Sequence, residues 1–366
     1  KIDKLLFYIG IIGSMIGFIK GDTYFIYITV LLFILPVLLS EVRQISDRIF
    51  YKYLKSFFII STLYLLVEHI IMHPYVLGLN FESPTVEQYG AYLDMLSGGT
   101  TLIVDFRYQG AFIRTGGYLV NSLAMPVIMS MTAIFFYVLA REKAGIFNIL
   151  FSLLSFYLLA VGLSTTAIIS FTLSLLYYEI FVKRINLYSL LTITFISLFI
   201  GVAFVSPAGT YVYTRLLLNL ADQTYYNTFF DFSGLLSPVN IIYLILGKWD
   251  WATPAGISSH IDLILIPLSY GGIISFMLYK KIVYPAIKNS REMDIYNKLF
   301  SLSILPAFIC LYHHQMTLNI NVMFLVTLLL VKNNNSSLNC SLPQNYLIKK
   351  QKSFKKQVHT LAGVPN

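Results

Sequence analysis

Ten apolar blocks alternate with polar segments along the chain, at about 5–19, 23–39, 56–78, 117–140, 144–162, 164–182, 187–206, 260–279, 299–315 and 317–331. Within each block the apolar residues occupy every face of a helix, not a single stripe. That is the pattern of a helix surrounded by lipid or by other apolar helices. A hydrocarbon core takes about 20 mainly apolar residues per helical crossing. The pattern therefore predicts an all-α polytopic membrane protein with about ten transmembrane helices. One transmembrane domain covers residues 1–331, with two long loops at 79–116 and 207–259, and residues 332–366 form a basic, flexible tail.

The charges strengthen this picture. Only 12% of the 366 residues are charged and 57% are hydrophobic, against about 25% charged in a typical soluble domain. Of the 26 basic residues, 21 fall at the two termini or in the segments 40–55, 141–143, 183–186 and 280–298. Basic residues are retained on the cytoplasmic side of a membrane, so every second crossing returns to that side and both termini are expected there. The first block has no small-residue cleavage site after it and is expected to stay as an uncleaved helix. The net charge of +9 does not indicate nucleic acid, because no folded basic domain carries it. Lys349, Lys350, Lys352, Lys355 and Lys356 instead suit an anionic inner leaflet. Cys310 falls in a span and Cys340 in the tail, so a disulfide between them is not expected.

Five basic residues break the rule: Lys20, Arg107, Arg114, Arg215 and Lys248. The two outer loops are too long to be simple connectors and too rich in aromatic residues to be disordered. Arg107 and Arg114 lead into the fourth span and Arg215 lies in the second loop. A planar guanidinium matches phosphate oxygens and keeps its charge, so these residues suit a diphosphate and the charge that develops on it as it leaves. The plainer reading is snorkelling or pairing with Asp105 and phospholipid heads. His260 sits where the second loop returns to the membrane, and its imidazole could accept a proton from a hydroxyl near neutral pH. An interfacial His bonded to water or backbone is the alternative. Trp249 and Trp251 could stack on sugar rings or anchor the loop at the interface. His69 and His73 have the i, i+4 spacing of a metal pair, with His313 or His314 as third ligand, yet polar anchoring of the helix ends is favoured and no metal is expected. No phosphate-binding Gly loop and no Gly-x-Ser-x-Gly elbow occurs.

Several local patterns resemble one family. They are Arg107-x-x-Gly110-x-Phe112 before the fourth span and Ser164-Thr165-Thr166 opening the sixth. They continue with Leu246-Gly247, Ser259-His260-Ile261-Asp262 and Tyr270-Gly271-Gly272. With the topology, these resemble the Wzy-type O-antigen or capsule polysaccharide polymerases and the related WaaL-type ligases. The chain lacks the Arg many relatives carry in the small-polar turn, and Ile261 follows His260 where Asn is frequent. The resemblance implies a GT-C-like fold in the bacterial inner membrane, with the long loops periplasmic. It implies metal-independent and cofactor-free polymerisation of undecaprenyl-diphosphate-linked repeat units. Arg107 and Arg114 would hold the donor diphosphate, His260 would act as base with Arg215 assisting, and Trp249 and Trp251 would contact glycan. Membrane lipids, a chain-length regulator and a flippase are the implied partners. A ligase-type glycan transferase, or a non-enzymatic lipid-linked oligosaccharide flippase or transporter, is the alternative.

Overall fold

The computed structural model describes residues 2–30, 42, 44–72, 124–161, 164–184, 189–191, 194, 233–251, 262–291, 294–310 and 320–340. Among these residues the secondary structure is helical throughout, with no strand. The helices are α1 (Ile2–Lys20), α2 (Thr23–Thr29), α3 (Asp47–Met72), α4 (Ala124–Glu142), α5 (Ile146–Val161) and α6 (Thr165–Tyr177). They continue as α7 (Pro238–Leu246), α8 (Asp262–Tyr270), α9 (Gly272–Ser290), α10 (Ile295–Cys310) and α11 (Ile320–Cys340). Two helical segments, Asp47–Val67 and Ala124–Glu142, are long and apolar enough to cross a membrane.

Helix α4 is the central pillar. Fifteen of its residues, from Ala124 to Leu139, are buried, because it is apolar on all sides and has neighbours on all sides. It turns into α5 through Lys143, Ala144 and Gly145, and so short a link makes the two helices antiparallel neighbours. The main core joins Phe58 of α3, Phe135 and Phe136 of α4, Leu158 of α5, Phe171 of α6, Phe300 of α10 and Leu329 of α11. Buried hydroxyls cost little here because they bond to their own helix. Thr62 donates to the Phe58 carbonyl, Thr132 to that of Ile128 and Ser174 to that of Ser170.

A second, smaller core contains Phe25, Ile28, Trp251, Leu265, Ile266, Tyr270 and Leu278. It brings α2, α8 and α9 together with the segment after α7. Helix α1 lies close against α2 because Gly17 has no side chain. A Cβ there would come within 2.9 Å of an Ile26 side-chain carbon.

The structure redraws several expected boundaries. The expected span 260–279 is two helices, broken at Gly271 and continuing to Ser290. Helix α3 begins nine residues before its expected start at 56, so Arg48, Lys52 and Lys55 lie on its first turns and not in a loop. The last helix passes the expected boundary at 331 and ends at Cys340, which places Lys332 and Asn333 inside the bundle. The second long loop contains a helix, α7. Most of the expected span 187–206, the loop 79–116 and residues 341–366 lie outside the described residues.

Candidate functional site

Bonded clusters of charged residues lie at two sets of helix ends. At one, α4 ends in Arg141 and Glu142, and α6 tightens into a π-helical turn over Tyr178–Val182 that carries Glu179. Such turns insert one extra residue and re-aim the side chains around it. Glu179 is fully buried. Its carboxylate accepts from Arg141 Nε at 2.9 Å and Nη2 at 3.0 Å, from Tyr137 Oη at 2.6 Å, and from Ser189 Oγ. Glu142 beside it accepts from Lys298 Nζ at 2.8 Å and Tyr178 Oη at 2.9 Å, and pairs with Lys183 at 3.0 Å. Asn333 accepts from Asn289 and Ser301, while Lys332 donates to the Ile45 carbonyl and faces Asp47. These bonds join the ends of α3, α4, α6, α9, α10 and α11, the ends expected on the basic side.

The other end carries the residues singled out for chemistry. Helices α7 and α8 both terminate there, and their backbones touch. A Cβ on Gly247 would lie 2.8 Å from the Tyr270 carbonyl carbon, and one on Gly271 would lie 2.7 Å from the Ile245 oxygen. Both glycines have positive φ, 83° and 79°, a region open to Gly at little cost. Two backbone bonds fasten the contact: Lys248 N–H to the Leu268 carbonyl at 2.7 Å and Trp249 N–H to the Ser269 carbonyl at 2.8 Å. They satisfy carbonyls that the last turn of α8 would otherwise leave open.

Lys20, the last residue of α1, also reaches this point. Its ammonium donates to the Lys248 carbonyl at 2.8 Å and pairs with Asp250 at 3.4 Å. Lys248 pairs with the other oxygen of Asp250 at 2.9 Å. Three helix C-termini thus meet beside two ammonium groups, the favourable sign for the helix dipole. Asp22 ties in α2. One of its oxygens caps Phe25 N–H at 2.9 Å and the other accepts Trp251 N–H at 2.5 Å.

Both tryptophans are therefore held by the fold. Trp249 is half-buried, meets Phe25 and Tyr270 edge-on, and donates its indole N–H to the Leu246 carbonyl at 3.0 Å. Its φ of 55° is unusual for a bulky residue and is maintained by those bonds. Trp251 is only 6% exposed, and its indole N–H has no hydrogen-bond partner among the described residues.

Arg107, Arg114, Arg215 and His260 lie outside the described residues, as do His73, His313 and His314. His69 lies on α3, on a turn whose side chains are not described. Among the described residues no group of three or more His, Cys, Asp or Glu could hold a metal ion. Ser164 of the small-polar turn caps α6, its hydroxyl accepting Ala167 N–H at 3.4 Å. Sequence reasoning gave no role to Asp22 or Asp250 and met Tyr270 only within the Tyr270-Gly271-Gly272 pattern. The alternation Lys248-Trp249-Asp250-Trp251 was the available signal for Asp250, no comparable pattern surrounds Asp22, and nothing in the sequence marked Tyr270 as bonding Thr29 across 241 residues.

Fold and site together define a protein that is helical in its described residues, with two candidate membrane-crossing helices and bonded charge clusters at two sets of helix ends. No known protein family, curated protein or solved structure matches the chain.

Proposed function

We propose that this chain is a polytopic inner-membrane glycosyltransferase of the O-antigen polymerase type. In this reading it crosses the membrane about ten times, has a GT-C-like fold, and keeps both termini in the cytoplasm. The Arg141–Glu179 end is cytoplasmic and the Lys20–Asp250 end is periplasmic. One observation carries the reading. The segment that holds His260 is mounted between two described anchors: Trp251, bound to Asp22, and α8, whose far end is fastened to Gly247–Trp249. Fixed elements on either side of residues 252–261 are a suitable support for a general base, since catalysis needs its base held in place.

The accounting of outer cations agrees with it. Lys20 and Lys248 share Asp250 within the fold, so structural roles account for two of the five basic residues on that side. Arg107, Arg114 and Arg215 are the three assigned to chemistry. In the proposed reaction Arg107 and Arg114 bind the diphosphate of an undecaprenyl-linked glycan. His260 takes the proton from a hydroxyl of the incoming repeat unit, and that oxygen forms a bond to the anomeric carbon of the donor. The bond from that carbon to the diphosphate breaks, and the lipid diphosphate leaves with its negative charge stabilised by the arginines and Arg215. Trp249 can offer glycan its exposed edge, while Trp251 acts as a positioning residue.

The competing flippase reading expects ionisable side chains distributed along a path through the spans. Glu179, the buried carboxylate of α6 and its π turn, belongs to a bonded cluster at a helix end instead. The test is the surface glycan of cells lacking the protein, complemented with wild type or His260→Ala. Long-chain ladders with wild type and a core bearing one repeat with the variant are expected. A bare core in the deletion strain would favour a ligase or flippase, and an unchanged ladder with His260→Ala would remove the histidine from the mechanism.

A further inference from the structure

Helix α7 is built inside out. Of its nine residues, Pro238–Leu246, the buried one is Asn240. Its large apolar side chains point outward: Val239 is 56% exposed, Ile242 53%, Ile245 64% and Leu246 67%, with Leu236 just before it at 80%. A helix lying on a membrane surface keeps a charged or strongly polar face toward water. Helix α7 has none, for residues 233–247 contain no charge at all.

Its N-terminal end needs little from water. Pro238 has no N–H to satisfy. Ser237 Oγ accepts Asn240 N–H at 3.3 Å, and the Ser237 carbonyl accepts Ile241 N–H at 2.9 Å. The preceding turn is closed by Ser237 N–H and Asn240 Nδ2, which both donate to the Gly234 carbonyl, at 3.0 and 2.7 Å. Irregular backbone survives at membrane depth only when its polar groups are bonded internally. The opposite end passes abruptly into Lys248-Trp249-Asp250-Trp251, the mixture of charge and indole that marks a lipid-water boundary.

We propose that α7 is a half-helix inserted into the bilayer, its outward face covered by acyl chains, with Gly234–Ser237 deepest and Lys248–Trp251 at the headgroups. Nine residues span about 14 Å, roughly half of a hydrocarbon core of about 30 Å. The helix therefore reaches near the midplane without crossing it. Its junction with Gly271 fixes it to the break between α8 and α9. This placement depends on the chain residing in a membrane and not on the polymerase reading.

Nitroxide labels on Val239→Cys, Ile242→Cys and Ile245→Cys, each in the full chain carrying Cys340→Ser, test the proposal. Their sites are exposed, so the label displaces no core contact. The protein is reconstituted in vesicles of phosphatidylethanolamine and phosphatidylglycerol, and collisions with oxygen and with a water-soluble nickel chelate are compared. Leu153→Cys on the exposed face of α5 is the lipid reference and Gly21→Cys the water reference. Oxygen-dominated collisions at all three sites are expected, with depth increasing from 245 to 239. Nickel-dominated collisions would place α7 in water, protection from both reagents would place protein over it, and equal depth would lay it flat; each overturns the proposal. Failure of Leu153→Cys to behave as a lipid site would instead overturn membrane residence itself.

Discussion

Two glycines with nearly the same φ carry opposite consequences. Gly21 (φ 71°) has nothing within 4 Å of an added Cβ, whereas Gly271 (φ 79°) would meet three backbone atoms between 2.7 and 2.9 Å. Gly21→Ala is expected to cost only the left-handed strain of about 1 kcal/mol. Gly271→Ala adds overlap with backbone that cannot swing away, and about 3 kcal/mol or more is expected. Thermal unfolding of both full-length variants in detergent separates them; equal shifts would mean that α7 and α8 do not touch as described. Glu179 offers a second test. Glu179→Leu strips the acceptor from Arg141, Tyr137 and Ser189, and breaking a buried pair costs about 3–5 kcal/mol. Replacing Arg141 by Met in the same chain should recover a large part of that loss. A double variant no more stable than Glu179→Leu would show that the pair is not the main contact of this carboxylate.

At the level of elements, hydrophobic pattern located the helices but not their breaks. Residues 260–279 read as one span because Leu, Ile and Tyr continue across Gly271-Gly272. Glycine within an apolar run is tolerated in a helix at a cost of about 1 kcal/mol each, and here the close approach of Gly247 selects the break. Helix α7 was hidden in a long loop because nine apolar residues are too few to register as a span. The α1–α2 turn is held by Asp22, which performs two tasks, capping α2 and receiving Trp251. Asp22→Ala should cost about 1 kcal/mol for the cap and about 1.5–3 kcal/mol for the charge-assisted bond to Trp251. If the His260 loop depends on that anchor, the same variant should shorten the glycan ladder at normal protein levels. Loss of stability with an unaltered ladder would detach the anchor from the chemistry.

Across the whole molecule, the sorting of helix ends yields a topology test. Gly21 is exposed and Gly145 is half-buried with only ordinary contacts for an added Cβ, one beside Lys20 and the other beside the Arg141–Glu142 end. Gly21→Cys should react with a membrane-impermeant maleimide applied to cells freed of any outer barrier. Gly145→Cys should react only after permeabilisation, both in a Cys340→Ser chain. Labelling of both from the same side would overturn the two-sided arrangement. Helical class and the grouping of basic helix ends were legible from sequence alone. Each depends on composition and spacing along the chain, and apolar blocks and Lys placement record the solvent around each segment directly. The candidate site was legible as residue types only: Arg for phosphate, His for a proton, Trp for a boundary. Tertiary structure decided the broken helix at Gly271, the sharing of Asp250 by Lys20 and Lys248, the burial of Trp251 and the inverted face of α7. The first three are contacts between segments distant in sequence, whose energies arise only when the chain has brought them together, and the last follows from where α7 is fastened, at Gly271.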